Sequence, residues 1–296
     1  MEIQNQRKAA YGYLILTFML WGSLFVVSKY VLGKLPTFTV SFLRFVIAFA
    51  TLSLIRQKTY DKIERKDTPY LFLIGIGGYF IAVGAQLLGT KYAGASLASL
   101  LNALNPVTMT MFAAVFLREK LTGKKIAGLL LALAGVYAIL GGEQSINKIG
   151  IVFSLFAVLL WSAISVLMRK ITQKYDSMQV TRYGIGIAAL CYFPVSLYEA
   201  LSGGQFQLDI PCVLSLLYMG AVCTGIAYYL WNKSLSILEA GTCSAFYPVQ
   251  PLVSAGLGIL LLNEQIGTAF WIGSVFIAVG IYLNLTGAYK ETGIDI

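Results

Sequence analysis

Two short stretches hold the polar side chains with which this chain could handle a small molecule. One carries Ser96, Ser99, Asn102, Asn105 and Pro106; the other carries Thr242, Ser244, Tyr247, Pro248, Gln250 and Pro251. Each stretch lies inside an otherwise apolar run. Hydroxyls, amides and a phenol are hydrogen-bonding groups with no nucleophile and base among them, so their chemistry is reversible binding, not bond cleavage. The prolines add exposed backbone. Pro106 withdraws the N–H that would reach the Asn102 carbonyl, Pro251 the one that would reach Tyr247, and Pro248 the one that would reach Ser244. An unpaired carbonyl in hydrocarbon is costly unless it faces protein or a wet cavity, so these are either cavity-lining breaks at which a gate could bend, or plain kinks. Asn102 and Gln250 are read as facing the cavity. Ser99, Ser244 and their hydroxyl neighbours serve equally well as interhelical glue, worth about 0.6 kcal/mol per bond.

Aromatic and charged residues complete the candidate set. Trp21 and Trp161 fall mid-run in matching places, where they can stack on a solute or cover a cation, with simple packing as the alternative. Tyr79, Tyr228 and Tyr229 are candidates for the same wall, as is Tyr247 of the second stretch, with core packing as the alternative. Arg44 and Arg182 are the charges well inside apolar runs. Each sits about two turns from its helix start, so snorkelling or an interhelical contact competes with a direct role on substrate. No Asp or Glu falls in the middle of any run. A proton-driven pump for cations would want a carboxylate there, so neutral, zwitterionic or aromatic cargo is favoured.

The elements that must position these residues follow from composition. The chain has 296 residues, of which 58% are hydrophobic and only 12% charged. Its mean hydropathy is positive, and no soluble core could absorb that much apolar surface. Ten apolar runs of about 18 to 24 residues are expected, each enough to cross the ~30 Å hydrocarbon layer as a helix. The runs include 10–32, 38–55, 69–89, 94–117, 149–168, 179–198 and 211–231, with a fifth ending near 142 and the last two within 240–285. The net charge of +9 does not signal nucleic acid, because the basic residues sit in turns between the runs. The four cysteines lie in apolar runs, and the absence of histidine removes the commonest proton shuttle and metal ligand. No cofactor or metal is expected, and neither is an enzyme motif such as a Gly-x-Ser-x-Gly elbow or a phosphate loop.

An internal repeat organises the runs. Shifted by 145 residues, Ala95, Ser99, Pro106, Leu117, Glu119, Gly128, Gly135, Tyr137 and Leu140 fall on Ala240, Ser244, Pro251, Leu262, Glu264, Gly273, Gly280, Tyr282 and Leu285. The chain therefore reads as two copies, 1–142 and 143–296. Five spans per copy is an odd number, so the second copy must enter the membrane from the other side. Charge agrees with that. With the N terminus inside, sixteen of the 22 Lys and Arg fall on inner segments and four (Lys29, Lys34, Lys91 and Lys148) on outer ones. Arg118-Glu119-Lys120 in one copy becomes Asn263-Glu264-Gln265 in the other, as an inversion requires. Gly128 with Gly135, and Gly273 with Gly280, put small residues on one face for close packing within a protomer or between two.

Ten spans in two inverted copies, each with a Pro in its fourth helix, a Glu in the next turn and two Gly seven apart in its fifth, resemble the drug/metabolite transporter superfamily, EamA branch. The resemblance covers roughly residues 11–285. Its most specific piece is Ala245-Phe246-Tyr247-Pro248 with Pro251 and Leu262-Asn263-Glu264. It implies a secondary transporter of small organic metabolites, often an exporter of amino acids or related compounds, with a cavity between the copies and alternating access. A multidrug or quaternary-amine transporter is the alternative, and a channel a more distant one. The expected setting is a bacterial inner or plasma membrane with both termini cytoplasmic. The expected partners are a small-molecule substrate and the lipid bilayer, not nucleic acid, with the protein a monomer or homodimer.

Overall fold

Apolar runs without internal breakers become long helices, and breakers divide the rest. The computed structural model describes residues 2–55, 62–117, 122–142, 147–238, 240–265 and 267–292, and no strand occurs among them. Helix α1 spans Glu2–Leu32 and α2 spans Thr37–Leu54. The third run opens as α3, Thr68–Phe72, widens into a π-helical stretch at Leu73–Ala82 and closes as α4, Val83–Ala93. Gly94 ends it with φ +90, a conformation L side chains rarely adopt. The fourth run is two pieces, α5 (Ala95–Asn102) and α6 (Asn105–Leu117), and α7 is Gly123–Gly142. The second half repeats this order. It comprises α8 (Lys148–Thr172), α9 (Ser177–Leu201) and α10 (Ile210–Leu217), then a second π-helical stretch at Tyr218–Ile226. After it come α11 (Ala227–Ile237), α12 (Ala240–Ser244), α13 (Val249–Leu262) and α14 (Thr268–Thr292). Among the described residues seven helical runs are long and apolar enough to cross a membrane, and two more apolar helices are shorter. Leu54, Leu190, Leu252, Leu260 and Tyr137 are more than 70% exposed, a surface suited to lipid and not to water.

Several runs extend a few residues past the sequence expectation, the third to Ala93, the sixth to Thr172 and the seventh to Leu201, and one such extension bears on the core. The eighth run reaches Ile237 instead of ending at Trp231, so Asn232 is not a turn residue but is fully buried within α11. Its side-chain amide donates to the Tyr79 hydroxyl at 3.0 Å and to Thr181 at 2.8 Å, partners that a polar residue in an apolar helix needs.

The ends of the helices meet in a way that shows how the halves lie. Lys34 after α1 pairs with Asp209 before α10, while Lys174 after α8 pairs with Asp67 before α3. Lys34 and Lys174 are equivalent positions, yet they lie at opposite ends of the bundle. The start of α1 is beside the end of α11, where Ser234 donates to the Ala10 carbonyl. That end is the N-terminal face; Lys34, Asp209, Gly94 and Glu264 mark the opposite face.

Packing then mixes the halves. Helix α1 packs on α11 and α13, and α8 packs on α4, α6 and the first π stretch. Each half thus lends its first helix to the other. One lobe contains α1 with α10–α13, its counterpart α8 with α3–α6, and α2 and α9 lie against each other alongside. The glycine pairs close α7 and α14 on one another within the chain. A Cβ on Gly135 would meet the Gly273 carbonyl at 2.8 Å, and one on Gly280 would meet that of Gly128 at 2.6 Å. Tyr137 and Tyr282 point outward, 78% and 66% exposed.

Candidate functional site

The two helix breaks meet at the seam between the lobes. Asn102, the last residue of α5, donates from its amide to the Gln250 carbonyl oxygen at 2.7 Å. Gln250 stands at the start of α13, just past the break at 245–248. From Asn102 the chain of bonds continues: Asn105 donates to Asn102 Oδ1 at 2.9 Å, and Ser162 donates to Asn105 Oδ1 at 2.8 Å. This string ties α5, α6, α8 and α13 together where two apolar bundles touch.

The carbonyls freed by proline do not stand open. Asn105 Nδ2 donates to the Asn102 carbonyl at 2.6 Å, replacing the N–H that Pro106 lacks. Tyr247 N–H takes the Ser244 carbonyl at 3.1 Å, and Gln250 N–H takes that of Tyr247 at 3.0 Å. Pro106 and Pro251 therefore sit in the first turn of the helix that follows each break, with Pro248 as the N-cap of α13, and the polar groups that reach the cavity are side chains.

Aromatic rings form the rest of the wall. Trp21, Leu24, Ala82, Gln86, Asn102, Ala157, Trp161, Tyr228 and Gln250 line a cavity of about 20 Å³. That is room for a water molecule or two. Trp21 and Trp161 meet edge to face at 6.0 Å, and Tyr228 sits 5.5 Å from the first and 5.7 Å from the second. Their polar tips are engaged. Trp21 Nε1 donates to the Cys223 carbonyl in the second π stretch at 3.1 Å, and Trp161 Nε1 to the Tyr247 hydroxyl at 2.8 Å. Tyr192 serves the first π stretch in the same way, donating to the Phe80 carbonyl at 2.6 Å.

Of the nine candidate binding residues, Trp21, Asn102, Trp161, Tyr228 and Gln250 line this cavity. Tyr79 and Tyr247 are fully buried behind it, Tyr79 against Trp161 and Tyr228, and Tyr247 against Phe18 and Trp231. Ser99 turns back on its own helix, donating to the Ser96 carbonyl at 2.8 Å, and Ser244 is buried in α12 away from the lining. Gln86 was missed because one polar residue near a helix end carries no pattern.

The two arginines part company. Arg44 does not reach for the surface: it is 1% exposed, and its Nε donates to Thr224 Oγ1 at 2.8 Å. Arg182 is half-buried beside the Tyr183 ring, 5.8 Å from its centroid, and does not join the cavity. At the 140-residue register that matches Trp21 to Trp161, Arg44 falls on Gly184, which packs against Tyr79.

Both faces of the seam are closed. On the opposite face Glu264, after α13, caps α5 by accepting from Ala95 N at 2.7 Å and Ser96 N at 3.1 Å. Lys29 of α1 donates to the Lys91 carbonyl at the end of α4 at 2.6 Å. On the N-terminal face Arg169 of α8 donates to the Leu238 carbonyl just after α11. Lys29 and Arg169 are equivalent positions, and each cation crosses to the carbonyl end of a helix in the other lobe, where the helix dipole favours it. Glu119, the counterpart of Glu264, lies outside the described residues. Among the described residues no three His, Cys, Asp or Glu gather to hold a metal ion.

An apolar bundle with a small polar and aromatic cavity at an internal seam agrees with what the chain is similar to. It matches the EamA-like transporter family over residues 8–141 and again over 148–286. It is 27% identical over 289 residues to a protein of Escherichia coli named a probable amino-acid metabolite efflux pump, covering 92% of this chain and 93% of that one. An uncharacterized transporter of Bacillus subtilis, YetK, is 29% identical over 295 residues, covering 95% and 88%. A solved crystal structure shares the fold, with a TM-score of 0.66 at 22% identity over 93% of this chain and 96% of that one. The chain thus belongs to the EamA-like transporter family and is a membrane transporter, not an enzyme.

Proposed function

We propose that this protein exports or exchanges small amino-acid-like metabolites by alternating access, with ten membrane spans in two inverted five-helix copies. The observation that carries this reading is the Asn102–Gln250 bond. It joins two equivalent helix breaks, one from each copy, at the wall of an aromatic cavity that is latched on both faces. Inverted copies give two exchangeable shapes, and transporters so built bind solute near the midplane at such breaks. A cavity of about 20 Å³ is too small for an amino acid, so this geometry is an occluded one. Solute enters when one face unlatches and Trp21, Trp161 and Tyr228 part. The excess of Lys and Arg on its segments supports a cytoplasmic N-terminal face. The similarity to named amino-acid metabolite efflux pumps supports the cargo class.

The test is counterflow in liposomes. Protein reconstituted with an unlabelled amino acid inside will accumulate the labelled form transiently and saturably. Asn102→Ala and Trp161→Ala will each lower the rate at least tenfold while leaving the protein folded. Flux without counterflow would make it a pore, and full rates in both variants would move the site elsewhere. A quaternary amine exchanging where amino acids do not would establish the alternative cargo.

A further inference from the structure

Arg44 is the buried charge that nothing in the cavity description uses. Its guanidinium lies at the middle of the run Ile210–Ile237, where Nε reaches Thr224, and it is 1% exposed. Nη2 has no hydrogen-bond partner although it is fully enclosed. Thr224 passes its own proton to the Met219 carbonyl at 2.7 Å, so it offers Arg44 a neutral lone pair and no charge. The guanidinium also lies close to the Tyr228 hydroxyl, and Tyr228 lines the cavity. Among the described ion pairs none involves Arg44, and every one lies in the connections outside the spans. A cation held in the low-dielectric middle of a bundle with an open N–H wants an anion. The equivalent place in the other half is filled by Gly184 and Tyr79, so this buried charge has no counterpart there.

We propose that Arg44, with Thr224 and Tyr228, is the anion subsite of the transporter: Nη2 receives the carboxylate of the solute once Tyr228 swings aside. This rests on the transport reading above and deepens it, because it requires the cargo to carry a carboxylate. The aromatic cavity of Trp21 and Trp161 then holds the remainder of the molecule. Arginine suits the task because its planar fork meets a carboxylate with two N–H groups.

The probes are matched pairs that differ only in the carboxylate: phenylalanine with phenylalaninamide, leucine with leucinamide, and phenylpropionate with phenylpropionamide. Thermal stabilisation of purified wild-type protein is measured first, then counterflow. The carboxylate member of at least one pair will stabilise and exchange better than its amide by about tenfold or more, the size of a lost charge-assisted bond. In Arg44→Gln that ratio will fall to about one, and in Arg44→Lys it will lie between. Wild-type protein that is stabilised by no carboxylate, or equally by both members of every pair, overturns the proposal even if the variants do not fold. A ratio that survives in Arg44→Gln overturns it as well. Preference for phenylpropionate with no response to either amino acid would keep the subsite and reject the amino-acid reading alone. Stabilisation by sodium chloride over sodium gluconate that is lost in Arg44→Gln, with no carboxylate preference, would assign the subsite to an inorganic anion and reject the solute role.

Discussion

At the scale of single residues the protein caps two of its helices with carboxylates from the other half. Helix α5 starts at Gly94, which offers no side chain, and Glu264 supplies the missing acceptor from 169 residues away. Helix α2 likewise starts at Pro36 without a cap and takes the Glu199 carboxylate at Phe38 N and Thr39 N, 3.1 and 2.7 Å away. A side-chain cap is worth about 0.5–2 kcal/mol. Glu264→Ala will therefore lower the unfolding temperature by a few degrees, and Glu264→Gln, which keeps an acceptor, by less than half as much. Equal losses would show that the carboxylate is not acting as the cap. The sequence made Glu264 visible through its partner Glu119, and it made Asn102 and Gln250 visible as amides beside prolines. It could not show the repair of the freed carbonyls, because Asn105 answers Pro106 only once the break has its geometry.

At the scale of elements the helices are held by close backbone approach. Gly280 leaves no room for a Cβ, since its contacts would be the Gly128 carbonyl and the Ala132 N–H at 2.6 and 2.8 Å, and backbone cannot yield. Gly280→Ala will thus destabilise by about 1–3 kcal/mol. Gly12→Ala, on an exposed helix surface with nothing within 4 Å, will stabilise by up to ~1 kcal/mol. If both substitutions were neutral in thermal unfolding, the α7–α14 packing would be wrong. Apolar length and Gly spacing made these two helices readable from sequence. The π-helical stretches were not readable, because their widened turns depend on Tyr192 and Trp21 arriving from other helices to take the Phe80 and Cys223 carbonyls. Trp21 was legible as a special residue for its mid-run place, but its role as a brace for the π turn was not.

At the scale of the whole molecule the exchange of first helices between the halves is the organising fact, and sequence similarity between copies cannot reveal it. Two straps hold the exchange. Lys34–Asp209 ties α1 to α10, and Lys174 with Asp67 and Glu64 ties α8 to α3. Hydrogen bonds from Lys174 pull the Asp67 and Glu64 carboxyls below their usual range, and Lys34 does the same to Asp209. Depressed carboxyls stabilise above their unfolded values, and that contribution is lost as pH falls through the folded ones. Lys174 and Lys34 are raised in turn, so their share is lost only in strong alkali. Thermal stability will accordingly stay flat from about pH 5 to 9 and fall below roughly pH 4. A step near neutrality in a scan of unfolding temperature against pH would mean that some other group titrates.

The latches Lys29–Lys91 and Arg169–Leu238, unlike the straps, cross between lobes, one on each face. If solute passes along that seam, the two faces must open in turn. The most direct measurement is the distance between spin labels on the exposed residues Tyr92 and Gln265 across one face, and Lys8 and Gln173 across the other. Arg169→Ala will lengthen the Lys8–Gln173 distance and leave Tyr92–Gln265 short, and Lys29→Ala will do the reverse. Distances that lengthen together, or that do not respond to either substitution, would contradict a transporter that works by rocking two lobes about an occluded site.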